Sequence, residues 1–584
     1  MKLSSLDWAI MGLYGLVMVV LGIFFSRRAS RSTGDFFLAG RNLPWWIAGT
    51  SMVATTFAAD TPLLVTAFVR TGGVGANWIW FNFAISHLIT TFFLADLWRR
   101  ARIVTDVELC ERRYAGPGAR ALRFFKGAFF SFVTNSVVMG WVILAMATIS
   151  EEIFGLPKLV SIGACVLIAF FYTSLSGLYG VVATDFVQFS AAMAGSILLT
   201  IAAYDHVGGI SGFAEVLPGL LAENGRPAME MLPPVFSGGK FVGGAFMGFL
   251  TAVCVQWWSW KYSDGGGILI QRMSSARDER HSMLSMLWFT FANYVVRPWP
   301  WFIVALISLA VFPEVTDHKA VYPKMMAAFM GPGLLGLMMA AMLAAFMSTI
   351  DTHINIASAY FVNDLYRRFL APGRSERHYL WVARGSGLLF VLIASLIALY
   401  NESIRGLFEL LLELIAGAGA VFLLRWFWWR LNAWSELSAM VASLLIAGGL
   451  RLSNLHGWIP HSFDSWEIML INVFLSGAIW LAVTFATPPT EAGALETFYR
   501  SVRPPGAWAP VRRGMDSPPS APSGSGRSLE NVLLGLVLVY GVLFGLGWVL
   551  YGKTLQGLLL CLAGAGALAR ILHNVTRRFR MRAA

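Results

Sequence analysis

Runs of about 20 mostly apolar residues recur along nearly the whole of this chain. Each is long enough to cross the ~30 Å hydrocarbon core of a bilayer as a helix. That feature constrains the fold more than any other. In hydrocarbon every backbone N–H and C=O must find its partner inside the chain, so uninterrupted apolar runs of this length read as helices. Transmembrane strands would show alternating segments of about 10 residues, and the sequence has none. The composition agrees: of 584 residues, 57% are hydrophobic and 13% charged, against about 25% charged in a soluble chain. The expectation is an all-α polytopic membrane protein of about fifteen transmembrane helices. They are read at 5–26, 44–70, 77–98, 121–150, 156–178, 181–205, 239–260, 282–312, 333–366, 380–400, 404–425, 432–450, 466–487, 530–551 and 554–572.

The net charge of +12 raises the question of a nucleic-acid partner. Its placement answers that question. If the first loop, SRRASRSTGDFFLAGRN, is cytoplasmic, the great majority of the 44 Lys and Arg fall on the cytoplasmic face, as the positive-inside rule requires. The N-terminus is then outside and the tail TRRFRMRAA inside. The basicity records topology, with the lipid bilayer as partner and no nucleic acid. A multi-pass protein of the inner (cytoplasmic) membrane is expected, and no cleavable signal peptide, because no basic n-region or A-x-A site accompanies the first apolar run. The four cysteines are scattered and three lie in apolar runs, which reads as packing. Residues 501–527, SVRPPGAWAPVRRGMDSPPSAPSGSGR, are rich in Pro, Ser, Gly and Arg and read as a linker. Three parts follow: a body over 1–487, a cytoplasmic linker over 488–528, and two additional helices with a basic tail over 529–584. SDGGGILIQR (263–272) lacks the strand and spacing of a phosphate loop and reads as a tight loop. No nucleophile–base pair faces a soluble compartment, so an enzyme is not expected.

One stretch stands against the apolar background: AAFMSTIDTHIN (344–355). On a helix Ala345, Ser348, Thr349 and Thr352 share one face. A single buried hydroxyl usually bonds back to its own helix. Asp351 changes the balance, since a carboxylate at mid-membrane costs at least ~2.5–3.5 kcal/mol and needs a partner or a polar cavity. Clustered oxygens of this kind can replace the hydration shell of a small hard cation. Such a site also needs backbone carbonyls, which transporters free by breaking helices in corresponding positions of two repeats. PWWIAGTSMVATTFAADTPLLVTAFV (44–69) has that character: Thr55, Thr56, Asp60 and Thr61 precede Pro62 in mid-span. Five helices later, GGAFMGFLTAVCVQWWSWKYSDGGG (243–267) is again glycine-interrupted, with Gln256 and Ser259 among tryptophans.

With FFLAGRNLPWW (36–46), YTSLSGLYGVVATDFVQ (172–188), QRMSSARDERHS (271–282) and FLLRWFWWR (422–430), these segments make the chain resemble the sodium:solute symporter family over residues 5–487. The resemblance implies a LeuT-like five-plus-five inverted repeat and QRMSSARDERHS as a loop. It implies a main sodium site of the Ala54, Phe57 and Ala345 carbonyls and the Ser348 and Thr349 hydroxyls. A further ion site would use Asp185, Asp351 and Thr352, although Asp351 stands where the family usually has a small or hydroxyl residue. Substrate-facing positions fall on Thr56, Asp60, Thr61, Gln256 and Ser259. Trp257, Trp258 and Trp260 read either as an interfacial belt or as a stack for a sugar ring. The implied function is sodium-coupled symport of a small polar solute (a sugar, an amino acid or an organic anion) by alternating access. The alternatives are a transporter-like membrane solute sensor signalling through the last two helices, and a proton-coupled symporter using Asp351 and Asp185.

Arg297, in YVVRPWPW, lies too deep to snorkel. It reads as a structural ion pair with Asp351, Glu409 or Glu413, or as a guanidinium for an anionic substrate. His87 and His353 read as satisfied packing residues.

Overall fold

The computed structural model describes residues 3–29, 38–173, 178–232, 236–237, 240–241, 243–519 and 525–583. Parts of the first loop and of the motifs at 36–46 and 172–188 therefore lie outside the described residues. Among those described, ten helices are long and apolar enough to cross a membrane, or twelve with each of two bent pairs counted as one span. Three shorter apolar helices, Ser5–Met18, Lys158–Ala169 and Phe246–Ser259, correspond in sequence to three more of the expected spans. Among the described residues, strands are limited to a small ribbon, Phe236–Ser237 paired antiparallel with Lys240–Phe241, and isolated bridges.

The helices that position the site are α1 (Trp45–Thr55), α2 (Asp60–Gly72), α3 (Val74–Ala101), α4 (Leu178–His206), α5 (Phe246–Ser259), α6 (Gly266–Ser275), α7 (Glu279–Val311), α8 (Leu334–Leu370), α9 (Ile404–Ile415) and α10 (Gly419–Phe427). α4 packs on both α8 and α1, and α7 and α8 also pack on α1. The first core span breaks between α1 and α2 with a 60° bend. Thr56 and Phe57 turn their N–H groups back to Met52 and Ala54, and the Ala58 N–H donates to the Thr61 hydroxyl at 3.3 Å. Pro62 falls in the first turn of the new helix, where its missing N–H leaves no bond unmade.

Some of these expectations are corrected by the structure. Residues 404–425 are not one helix: α9 and α10 meet at 46°. Gly419 lies so close to α5 that a Cβ there would stand 2.1 Å from the Ser259 carbonyl oxygen, and one on Gly417 would stand 2.1 Å from Ser476 Oγ. The described part of the expected linker, residues 488–519, packs against the body. Ala492–Val502 is a helix, and Trp508 is buried, donating its Nε1–H to the Trp426 carbonyl at 2.9 Å. An indole with an apolar pocket and an acceptor packs well whatever the composition around it. Residues 520–524 of that stretch lie outside the described residues. Of the cysteines, Cys254 is exposed, and so is not the buried residue expected.

The two last helices, α11 (Ser525–Leu550) and α12 (Thr554–Ala583), form a hairpin. α11 lies against α3 and α7, with the Tyr540 hydroxyl donating to the Phe81 carbonyl at 2.9 Å. Arg578 of α12 pairs with Asp96 of α3 at 2.8 Å.

Candidate functional site

The end of α1 meets α4, α6 and α8 in a buried polar cluster. Ser348 donates to one Asp185 oxygen at 2.6 Å and Ser51 to the other at 2.5 Å. Thr349 donates to the Thr55 carbonyl at 2.9 Å, and the Thr55 and Thr352 hydroxyls lie 3.2 Å apart. The helical spacing that puts Ala345, Ser348 and Thr349 on one face thus turns that face onto the last turn of α1. Ala54 sits in that turn, its carbonyl accepting the Phe57 N–H at 3.1 Å, and Phe57 lies in the break itself. A carbonyl keeps a second lone pair after accepting one bond. Thr349 thus reaches the last turn of α1 directly, and Ser348 reaches it through Asp185 and Ser51; hydroxyl and carbonyl oxygens of this kind suit a hard cation.

The second expected ion position looks different. Gln271 and Arg272 were expected in a loop but belong to helix α6, and both are buried. Arg272 donates to Ser51 at 3.2 Å, to Thr352 at 2.9 Å and to Thr55 at 3.3 Å, and its guanidinium stands 4.0 Å from Asp185. Its remaining terminal nitrogen meets Gln271, which in turn reaches Asn355 at 3.0 Å. Asp185 and Thr352 are brought together as expected, but around a fixed cation. Asp351 is buried in the adjoining turn. The signal available in the sequence was an arginine amid GGGILIQRM, too apolar a setting for a solvated loop.

Beside this cluster lies a cavity of about 190 Å³. Thr56, Asp60 and Thr61 line it from the α1–α2 break, Trp80 and His87 from α3, and Trp260 from beyond the end of α5. α7 contributes Asn293, Tyr294 and Arg297, and Thr349 and His353 come from α8. Arg297 points here because α7 widens before its prolines: the Arg297 N–H reaches back five residues to Ala292 at 3.1 Å. Pro298 cannot donate and crowds the turn before it. The guanidinium donates to Thr56 Oγ1 at 3.1 Å and lies over the Trp301 ring at 5.4 Å.

None of the expected ion pairs for Arg297 is formed within 4.0 Å among the described residues. Glu409 pairs with Arg405 at 2.8 Å, and Glu413 with Arg451 at 2.6 Å. The i, i+4 spacing puts both glutamates on one side of α9, where each has an arginine closer to the surface. Gln256 and Ser259 are not in this cavity either. Gln256 donates to the Ile79 carbonyl at 2.5 Å and borders a second cavity of about 310 Å³, together with Arg405 and Glu409. Ser259 bonds back to Gln256 at 3.3 Å. A π-type turn over residues 252–256 shifts the helix face, so that Trp260 takes the inward position instead. Trp258 donates to Cys254 in its own helix. His353 is satisfied by Asn135 at 2.6 Å. His87 is only half satisfied: one ring nitrogen meets the Tyr294 hydroxyl at 2.9 Å, and Nε2 has no partner among the described residues.

Comparison with known proteins places the chain among sodium-coupled transporters. The sodium/glucose cotransporter of Vibrio parahaemolyticus is 24% identical over 519 residues, covering 83% of this chain and 91% of that one. The sodium/mannose cotransporter of Bos taurus is 26% identical over 550 residues, covering 85% and 89%. A solved structure of a Na⁺-coupled sialic acid symporter, substrate-bound and outward-open, aligns with a TM-score of 0.67 at 20% identity, over 84% of this chain and 100% of that one, a likeness of fold. The model of the sodium:solute symporter family matches residues 36–443. The chain therefore belongs to the sodium:solute symporter family, as a multi-pass membrane protein whose coupling ion is sodium.

Proposed function

We propose that the protein is a secondary active transporter that carries a small polar solute with sodium by alternating access. One observation carries this reading. Thr349 belongs to the sodium seam, through its bond to the Thr55 carbonyl, and also lines the 190 Å³ cavity. Sodium held by Ala54, Phe57, Ala345, Ser348 and Thr349 ties α1 to α8 and thereby fixes the wall of the solute cavity. Coupling needs sodium to favour one of two conformations, because a ligand with equal affinity for both shifts nothing. The membrane potential adds ~2.3 kcal/mol per charge per 100 mV. The topology proposed with it has fifteen spans, an external N-terminus and a cytoplasmic C-terminus in the inner membrane. The body covers 1–487, and the hairpin after residue 528 is an addition.

The test is uptake by proteoliposomes. Solute accumulates above its external concentration when sodium is higher outside, and does not when sodium is equal on both sides. Binding without net flux would instead support the solute sensor. Flux driven by a pH gradient and indifferent to sodium would support proton coupling.

A further inference from the structure

The 190 Å³ cavity carries two opposite charges that the protein does not pair with each other. Asp60 and Arg297 both line it, with 8% and 3% of their surfaces exposed. Asp60 Oδ1 and Arg297 Nε have no hydrogen-bond partner among the described residues. The two side chains form no ion pair within 4.0 Å, and what Arg297 does bond, the Thr56 hydroxyl and the Val53 carbonyl, is neutral. Trp260 Nε1, a donor, and His87 Nε2 are two more polar atoms of lining residues without partners among the described residues.

Buried charges are ordinarily paired, because desolvation is expensive. Here the charges sum to zero but stand apart, so the ligand that neutralises both is itself neutral overall and carries separated charges. A neutral sugar offers hydroxyls to both groups and leaves both charges uncompensated. A simple anion would pair with Arg297 and leave Asp60 facing a second negative charge. The volume falls below the roughly 300–1,000 Å³ of drug-sized pockets, which limits the solute to a small one. The remaining walls combine aromatic rings, Trp80 and Trp260 among them, with aliphatic side chains such as Leu64 and Val142.

We infer that Asp60 and Arg297 are the two poles of a binding site for a small zwitterion, with its carboxylate on Arg297, its ammonium on Asp60 and its apolar body against the apolar walls. The inference rests on the proposal that this cavity is the solute site, and it differs from what the names of the sugar-transporting relatives suggest.

The experiment measures thermal stability of the full-length protein in nanodiscs, with and without sodium. The probes are L-proline, L-leucine, L-phenylalanine and D-glucose, together with hydrocinnamate and phenethylamine, which lack the ammonium and the carboxylate of phenylalanine respectively. At least one amino acid is expected to stabilise the protein at a concentration ~100-fold below that needed for glucose or for either single-charge analogue, the discrimination a desolvated charge pair provides. Asp60→Asn should remove the discrimination against carboxylates without an ammonium, and Arg297→Gln that against amines without a carboxylate. The comparison of probes on the unaltered protein stands even if a variant fails to fold. Glucose acting at lower concentration than every amino acid overturns the inference, and so does no effect from any amino acid. If sodium still stabilises in those cases, the sodium reading survives. Amino-acid stabilisation indifferent to sodium would support the zwitterion site and refute the sodium coupling.

Discussion

Ser348→Ala tests the sodium seam most directly. The hydroxyl is one of five oxygens assigned to the ion and also donates to Asp185 at 2.6 Å. A hydrogen bond to a charged group is worth about 1.5–3 kcal/mol net. Losing a contact of that strength to a bound cation raises the half-saturating sodium concentration ~10–150-fold, at ~1.4 kcal/mol per tenfold. Ser51→Ala is the matched control. It removes the bond to the other Asp185 oxygen, at 2.5 Å, but no sodium ligand. Both variants should lose similar stability in choline chloride, by about 1.5–3 kcal/mol. In sodium chloride only Ser51→Ala should recover as the parent does. The assay is the thermal midpoint against sodium concentration at constant ionic strength, read as binding to the folded state. An equal shift in sodium midpoint for the two variants would refute the assignment, because Asp185 rather than the α8 hydroxyl would then be the common cause.

Arg272→Gln leaves Asp185 without its guanidinium. The variant should be destabilised by ~3–5 kcal/mol in choline and regain part of that in sodium, which can enter beside the carboxylate; equal loss in both salts would contradict the fixed-cation reading. Arg425 bonds Asp264 at 2.7 Å and Glu436 at 2.9 Å, all three at most 2% exposed. Arg425→Met should cost ~3–5 kcal/mol, visible as loss of monodisperse protein on heating. Gly419→Ala forces α10 away from Ser259 and should lower stability by ~1–3 kcal/mol; an unchanged thermal midpoint would contradict the close approach. Outside the membrane, burial pushes the Glu111 carboxyl up, but hydrogen bonds from Arg368 and Arg123 outweigh it and hold the group below its ordinary value. Its folded value lies below its unfolded one, so its contribution is complete above the ordinary carboxylate range and disappears as pH falls through that range. The stability gap between parent and Glu111→Gln should therefore be constant near neutral pH and close in acid.

Helices were legible because an apolar run of this length has one solution in lipid. Breaks were legible only where the cause is local. Pro62 and Asp60 announce the first break in their own sequence. The break at Gly417 does not announce itself, because AGAGA is a good membrane-helix sequence by composition. What requires glycine there is the close approach of Ser476 to Gly417, from 59 residues after it, and of the Ser259 backbone to Gly419, from 160 residues before it. The docking of Trp508 was invisible for the same reason: its pocket is supplied by Trp426 and by Arg113, whose guanidinium stands 4.7 Å over its ring.

The same division runs through the site. Ser348 and Thr349 were readable because helical spacing alone puts them on one face, and that spacing holds through the apolar stretch around them. Gln256 and Ser259 were misplaced because a π-type turn lies between residues 252 and 256, and a period of 3.6 residues cannot register an inserted residue. α7 has such a turn just before Arg297. Both turns fall in helices whose neighbouring residues reach the 190 Å³ cavity, and each re-aims one side chain: Trp260 in one case, Arg297 in the other. Buried charges were the least legible. Glu413 lies on the expected helix yet belongs to Arg451, whereas Arg272, expected in a loop, closes the ion cluster. A sequence shows that a charge in the membrane must have a partner. The choice among partners depends on helix rotations of a single residue, and those rotations are set here by turns and breaks that a regular helical period does not contain.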